Sequence, residues 1–456
     1  MPCPVNTDRI VELNDRPIRD GDYVIYWVQQ AQRAEINPAL EYAVYRANQL
    51  DLPVIAVFGL TASYPEANLR HYRFMLQGLQ DLEQGLRRRR IKLVVRPKEP
   101  DAAAIEMAEN AALAVCDRGY LRFQKIWRQT VARQIKCRLI QVETDAIVPV
   151  KIASEKTEYA ARTIRPKLHR QVSDFLVPLT PLEVEMGSLG LPIDGLELGD
   201  LGTLETGLNL RSKDSVAPVD QIFTGGTTAA RDTFHNFLQF KFQRYAQNRN
   251  QPQTADVSHM SKYLHFGQIS PVWLLLQANR HAQATEEENL TAFTEELLVR
   301  RELALNFVEY TDAYDRYDSL PEWARDTLDD HRHDERPHIY SCEELEAGAT
   351  HDQYWNAAMS EMKDTGYMHN YMRMYWGKKI LEWTGRPEDA FKRLLYLNNK
   401  YFIDGRDPVS YASVAWTFGR HDRPWPERPV FGKIRYMSAG GLERKCDIAS
   451  YVTRHS

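Results

Sequence analysis

The stretch YVIYWV, residues 23–28, decides how this chain is to be read. It is a short run of β-branched and aromatic residues, which suits a buried strand better than a helix. NPALEYAVYRANQL (37–50) follows with apolar residues at helical spacing, and PVIAVFGL (53–60) returns to the strand pattern. The alternation continues through NLRHYRFMLQGLQDLEQGLRRRR, IKLVVR (91–96), PDAAAIEMAEN, LAVCD (113–117) and LIQVET (139–144). Five near-continuous apolar strands separated by helices predict a five-stranded parallel sheet with helices on both faces. No G-x-G-x-x-G follows the first strand and no G-x-x-x-x-G-K-[ST] occurs, so the usual phosphate-binding loops are missing.

The pattern changes after residue 177. PLTPLEVEMGSLGLPIDGLELGDLGTLETG is rich in Gly, Pro and acidic residues and reads as a connector over 178–226. Beyond it the periodicity is helical, clearest in RDTFHNFLQFKFQRYAQNR and ENLTAFTEELLVRRELALNFVEY. The expected organisation is an N-terminal α/β domain (1–177), the connector, and a mainly α-helical domain (227–456).

Composition sets the outer bounds. The 456 residues are 43% hydrophobic and 26% charged, with a net charge of −4, so the chain as a whole is no basic nucleic-acid binder. From Gly366 onward, however, 16 Lys and Arg face nine Asp and Glu, a balance of +7 that leaves −11 on the remainder. A basic final segment suits a polyanion on one face, or is simply a solvated arginine-rich surface. Five scattered cysteines (Cys3, Cys116, Cys137, Cys342, Cys446) without C-x-x-C spacing point to reduced thiols and a cytoplasmic protein. MPCPVNTDRI has no apolar core of a secretory signal, and no apolar run reaches membrane-spanning length, so no membrane partner is expected. His331, His333 and His338 sit in the charged loop DDHRHDERPH without a completing ligand set, and no metal is expected.

The stretch GYMHNYMRMYWGKKILEW (366–383) reads as one amphipathic helix with unusual contents. Trp376 and Trp383 lie seven residues apart, about two turns and roughly 10 Å along one face. Trp355 precedes Trp376 by 21 residues. Such rings could relay a charge from a buried cofactor, or fill core volume as aromatic stripes commonly do. Arg373, among apolar neighbours, needs a carboxylate, and Asp404 and Asp407 in NNKYFIDGRDP are candidates; otherwise it snorkels to the surface. In DVSHMSKYLHFGQISP, Ser258 and Ser261 could donate to phosphates or simply cap a helix. Glu296, Arg300, Arg301 and Glu302 would be ordinary charge pairs on an exposed helix.

Together the motifs YWVQQAQRAEINPALEYA, VFGLTASYPEANLRHYRFMLQGL, DRGYLRFQKIWRQ, SHMSKYLHFGQIS, FTEELLVRRELALNF, THDQYWNAAMSEM, YMHNYMRMYWGKKILEW, YLNNKYFIDGRDP, HDRPWPERPVFGKIRYM and AGGLERKCDI resemble the class II cyclobutane-pyrimidine-dimer DNA photolyases of the photolyase/cryptochrome family, nearly end to end. The resemblance implies an α/β domain followed by a helical domain that buries a U-shaped FAD. It implies a lyase acting on carbon–carbon bonds. The FAD, active as its reduced anionic hydroquinone, passes an electron under near-UV or blue light to a pyrimidine dimer flipped out of UV-damaged DNA. By the same resemblance Trp376, Trp355 and Trp383 relay electrons to the flavin, with Trp376 nearest. Arg373 and Asp404 form the ion pair beside the isoalloxazine ring, and Asn398 faces flavin N5. Tyr245, Ser258, Met260 and Ser261, with Arg301 and Asp407, hold the cofactor, while Glu296 and Trp416 line the dimer pocket. Glu296 is expected to be a buried carboxyl. Arg423, Arg428, Lys433, Arg435, Arg444 and Lys445 hold phosphates, and Trp425 props the opened strand. A monomer is expected. The N-terminal domain could hold an antenna chromophore, a deazaflavin being one candidate.

The chain departs from the family pattern at three places. Ser261-Lys262-Tyr263 stands for Ser-Pro-Tyr, Phe402-Ile403 for Glu-Leu, and Val409-Ser410 for Asn-Gly. Two other readings compete. A cryptochrome-like blue-light sensor would carry an output tail, which is not expected in a chain ending at Ser456. An ordinary flavin oxidoreductase would need a nicotinamide fingerprint.

Overall fold

A computed structural model of the protein describes residues 2–210 and 216–455. The chain forms two compact units. One comprises residues 1–155, 167–234 and 260–281; the other comprises 156–166, 235–259 and 282–456.

The first unit is built on a sheet of six strands: β1 (Ile10–Glu12), β2 (Tyr23–Trp27), β3 (Val54–Gly59), β4 (Lys92–Arg96), β5 (Ala111–Asp117) and β6 (Arg138–Val142), in the order β1-β6-β5-β2-β3-β4. The five anticipated strands are β2 to β6, all parallel. The sixth corrects the expectation: β1 pairs antiparallel with β6, Ile10 opposite Val142. Three residues are too few to show a strand period, and two of them are exposed because they form an edge. β2, β3 and β5 are buried along their whole length, as strands covered on both faces must be.

At the C-terminal ends of β2 and β5, Asp117 accepts the backbone N–H groups of Gln29 (3.1 Å), Gln30 (2.8 Å) and Ala31 (2.8 Å) and the Tyr26 hydroxyl (2.9 Å). Burial pushes this carboxyl up to about 6 against those donors. Gly267, in the HFG of the SHMSKYLHFGQIS motif, has φ +61, and a Cβ there would stand 2.1 Å from the Gln30 carbonyl oxygen. Only glycine allows that approach.

The Gly- and Pro-rich stretch after residue 177 lies against the sheet edge. Ser188 donates its backbone N–H to Arg90 and accepts that of Lys92, and Leu196 donates to Val95. The open side of β4 is thereby covered, which removes an edge prone to aggregation. Leu198, Leu204 and Leu210 enter the core. Residues 211–215 of the expected connector lie outside the described residues.

The second unit is helical. The Asn370–Glu382 helix packs on Gln353–Thr365, Pro387–Tyr401 and Pro408–Thr417. It is therefore not the amphipathic helix anticipated over 366–383. Nine of its residues, from Tyr371 to Leu381, are buried on nearly every face. Gly366 takes φ 69 to end the preceding helix. Two further helices differ from expectation. The 231–249 segment breaks after Phe240, where Phe242 and Tyr245 turn in to meet Phe293. The 288–310 segment passes through a π-helical turn, Glu295–Arg300. Such turns recur at functional sites and are too short to be read from periodicity. Among the described residues no helix is long and apolar enough to cross a membrane.

Candidate functional site

Trp355 enters the first turn of its helix because Asp352 caps it, accepting the N–H groups of Tyr354 and Trp355. Its indole N–H donates to the Trp376 carbonyl at 3.0 Å. The rings of Trp355 and Trp376 stack with centroids 6.4 Å apart and planes at 16°. Trp383, which closes the Asn370–Glu382 helix, meets Trp355 edge-on at 5.7 Å. Trp355 thus bridges the two tryptophans that sequence places on one helix face. All three are at most 3% exposed, so the chain of rings is dry.

Past Trp376 lies the Phe402 ring, 6.0 Å away, with the Arg373 guanidinium 3.7 Å above it. Arg373 pairs with Asp404 at 3.1 Å. Of its two anticipated partners, Asp407 instead caps the Pro408–Thr417 helix through the Val409 N–H. Asn398 is 2% exposed, and its amide nitrogen donates to Asn399 Oδ1 at 2.9 Å and Ser410 Oγ at 2.7 Å. Ser410 Oγ also lies 3.0 Å from Asn398 Oδ1. One departure from the family pattern therefore sits directly on Asn398. A second, Lys262, is buried in the α/β unit with its ammonium 3.7 Å from the Phe223 ring.

The other expected cofactor residues are distributed as follows. Tyr245 is buried between Phe237 and Phe293 in the helical unit, and burial holds its hydroxyl well above the ordinary tyrosine range. Ser258 is half-buried there too, while buried Met260 and exposed Ser261 belong to the α/β unit. Arg301 and Glu302 are buried, which corrects the reading of an exposed charged helix. The cause is the Pro408–Thr417 helix packed over the Arg301–Tyr310 helix.

Glu296 is also corrected. It lies on the π-helical turn, 39% exposed, and pairs with Arg249 at 2.5 Å. Its partner, Arg249, is one that no motif points to. Trp416 is half-buried between two cations, Lys378 at 4.7 Å and Arg435 at 5.8 Å from its ring. Lys378 is wholly buried, donates to the Thr417 carbonyl, and is pushed by burial down to about 7.

The basic residues form a surface with interleaved rings. Arg423 and Arg435 flank Trp425 at 5.2 and 4.9 Å, Arg428 lies over Tyr436 at 4.8 Å, and Lys445 over Tyr371 at 4.7 Å. Trp425, Arg428, Arg435, Tyr371 and Tyr436 line a common cleft of about 420 Å³. Lys433 and Arg444 are exposed. His331, from the charged loop, bridges Asp334 and Glu427.

The inner end of the tryptophan chain fits an anionic aromatic cofactor. The Trp376 indole N–H is buried without a hydrogen-bond partner. Beside it stand a fixed guanidinium, a flat Phe402 ring and a clamped carboxamide. Phe402 and Ser410 at this end, Lys378 against Trp416 and Arg249 on Glu296 had no role assigned from the sequence. Only Phe402 and Ser410 left a trace, as departures from the family pattern.

A two-unit molecule with a parallel α/β sheet and a helical unit holding a buried tryptophan chain is the class defined so far. The DNA photolyase family model matches residues 24–185. The deoxyribodipyrimidine photo-lyase of Methanothermobacter thermautotrophicus is 48% identical over 451 residues, spanning 99% of this chain and 98% of that protein. The chain belongs to the DNA photolyase family. The fold is shared with a class III photolyase from Agrobacterium tumefaciens (TM-score 0.74, 18% identity, 96% of this chain and 87% of that one). It is also shared with an archaeal photolyase from Sulfolobus tokodaii solved with two FAD molecules (TM-score 0.69, 17% identity, 95% and 89%).

Proposed function

We propose that this protein is a class II photolyase that uses light and FAD to split cyclobutane pyrimidine dimers in UV-damaged DNA. The observation that carries the reading is the dry chain Trp383–Trp355–Trp376 ending beside the Arg373–Asp404 pair. When bound, reduced FAD would supply the excited electron that opens the cyclobutane ring. Arg373 provides a fixed positive charge that favours an anionic ring system, and Asp404 keeps that charge in place without reorganisation. Asn398 would present a carboxamide to the ring system only if it released one of its two present acceptors, Asn399 and Ser410, which hold it in a fixed orientation. Trp376, Trp355 and Trp383 return electrons inward when the cofactor is oxidised.

The dimer pocket is assigned to Glu296 and Trp416. The Arg249 guanidinium pairs with the Glu296 carboxyl, and the Lys378 side-chain nitrogen lies against the Trp416 ring. A dimer leaves the duplex more readily than a normal base pair because it pairs and stacks poorly. The cations of the 423–445 segment hold phosphates without reading sequence.

Illumination of the FAD-loaded, chemically reduced protein with a dimer-containing oligonucleotide should restore intact thymines, and a dark control should not. Dimers that persist under light would refute the repair reading. An absorption spectrum of the purified protein would show the flavin bands and any additional antenna band.

A further inference from the structure

The turn that carries part of the cation–ring face is strained, and a histidine sits at its anchorage. Arg428 and Gly432 exchange two backbone hydrogen bonds (3.0 and 2.8 Å), and the Trp425 N–H donates to the Lys433 carbonyl at 2.9 Å. Arg428 and Lys433 are exposed, whereas Val430 and Phe431 between them are buried. Val430 takes φ 68, a left-handed backbone that a β-branched residue keeps only where its surroundings enforce it. Its N–H donates to Asp334 Oδ2 at 2.8 Å. The Lys433 N–H donates to Thr327 Oγ at 3.0 Å, on the Glu322–Asp330 helix.

His331 caps that helix and joins both sides of the turn. Its Nδ1 lies 2.5 Å from the same Asp334 oxygen that holds Val430, and its Nε2 lies 2.9 Å from Glu427 Oε1. A Cβ on Gly432 would stand 2.8 Å from His331 Cδ2, so the ring lies directly against the turn. The neighbouring cations are engaged elsewhere. Arg332 pairs with Asp329 and Glu388, and Arg336 donates to the carbonyls of Arg332 and Asp334. His333 and Glu335 are exposed. Two carboxylates thus face one imidazole.

We propose that His331, as an imidazolium, is the positioning residue that holds the 425–433 turn in the form that grips DNA phosphates; this rests on reading the 423–445 face as the DNA-binding surface. An imidazolium has two N–H donors, one for each carboxylate. A neutral ring keeps one N–H and turns a lone pair towards the other carboxylate. Loss of the proton therefore breaks one of the two attachments, and Glu427 and Val430 are no longer held together. Arg428, next to Glu427, then loses its fixed place over Tyr436. The Glu427 and Asp334 hydrogen bonds hold His331 above the ordinary histidine range, against the partial burial of the ring. A group raised in this way contributes fully below about pH 6.5 and loses its effect as pH rises through the raised value. The turn is therefore released on the alkaline side.

The test uses the full-length, FAD-loaded protein and an undamaged duplex, with His331→Ala and Glu427→Gln variants. Affinity and backbone hydrogen exchange of residues 428–433 are measured from about pH 6 to about pH 9, a range that brackets histidine titration. Lys378, pushed down to about 7 beside Trp416, is kept in every variant, so proteins are compared with one another at each pH. At acid pH His331→Ala should bind several-fold more weakly than the unmodified protein and exchange several-fold faster in this segment. Both differences should close at alkaline pH. Glu427→Gln gives a neutral ring two partners: its N–H for Asp334 and its lone pair for the introduced amide. This variant should therefore keep slow exchange and its affinity at alkaline pH. Equal exchange in the unmodified protein and His331→Ala at every pH would overturn the proposal. So would a Glu427→Gln protein that loosens with pH as the unmodified protein does. Faster exchange in His331→Ala with unchanged DNA affinity would overturn the reading of this face as the DNA surface and leave only the anchorage of the turn.

Discussion

Two regions of the helical unit are rich in aromatic residues, and they use them in opposite ways. In the interior, rings meet rings: Trp355 touches Trp376 and Trp383, with no exposed surface to speak of. On the 423–445 face, rings meet guanidinium and ammonium groups: Trp425 lies between Arg423 and Arg435, and Tyr436 beneath Arg428. A dry stack of indoles suits the movement of an electron and is useless for holding phosphate. A wet lattice of cations propped by rings suits a polyanion. Trp416 stands where the two meet, with buried Lys378 4.7 Å and Arg435 5.8 Å from its ring. Composition alone counts these residues together; their surroundings separate them.

The largest expected effect breaks the interior region. Asp404→Ala leaves the half-buried Arg373 charge without its carboxylate, which should cost up to about 3 kcal/mol of stability. Chemical denaturation should show that loss, and the purified protein should retain little FAD. Asp404→Asn, which keeps one hydrogen bond, should fall between the variant and the native chain.

A smaller effect concerns the buried cation at the junction. Lys378 is pushed down to about 7, whereas an unfolded lysine keeps its proton to about pH 10. Between those values the unfolded chain binds the extra proton, so stability rises with pH, and below about pH 7 the cost of burial is fully present. The native protein should gain roughly 2 kcal/mol from about pH 7 to about pH 9 relative to Lys378→Met. Parallel denaturation curves for the two proteins across that range would show that Lys378 titrates normally.

The smallest effect sharpens the outer region. Arg435→Ala should weaken intact and dimer-containing DNA alike and reduce the salt dependence of binding by about one phosphate contact. Glu296→Ala should instead lower repair more than non-specific binding. An unchanged salt slope for Arg435→Ala would show that the 420 Å³ cleft faces away from DNA.

Much of the fold was legible in the sequence because β2 to β6 each carry a continuous apolar run between helical stretches. β1 was not, because three residues on an edge carry no period. The π-helical turn was not, because it spans only Glu295–Arg300, too short a stretch for a period to distinguish i→i+5 from i→i+4 bonding. At the site, motifs identified Arg373, Asp404 and the three tryptophans as residues of interest, and the fold brings them into contact. Glu296 was misjudged as buried because its partner, Arg249, is 47 residues away in sequence. The clamp of Ser410 on Asn398 spans 12 residues and depends on how two helices cross, which no spacing rule encodes.

The central claim is that the buried rings conduct while the rest of the site repairs, and Trp376→Phe tests it most directly. Phenylalanine keeps most of the ring volume but is far harder to oxidise. With oxidised FAD bound, the variant should fail to photoreduce its flavin. After chemical reduction the same sample should repair dimers under light at nearly the native rate. A folded Trp376→Phe protein that photoreduces its flavin at the native rate would contradict the account.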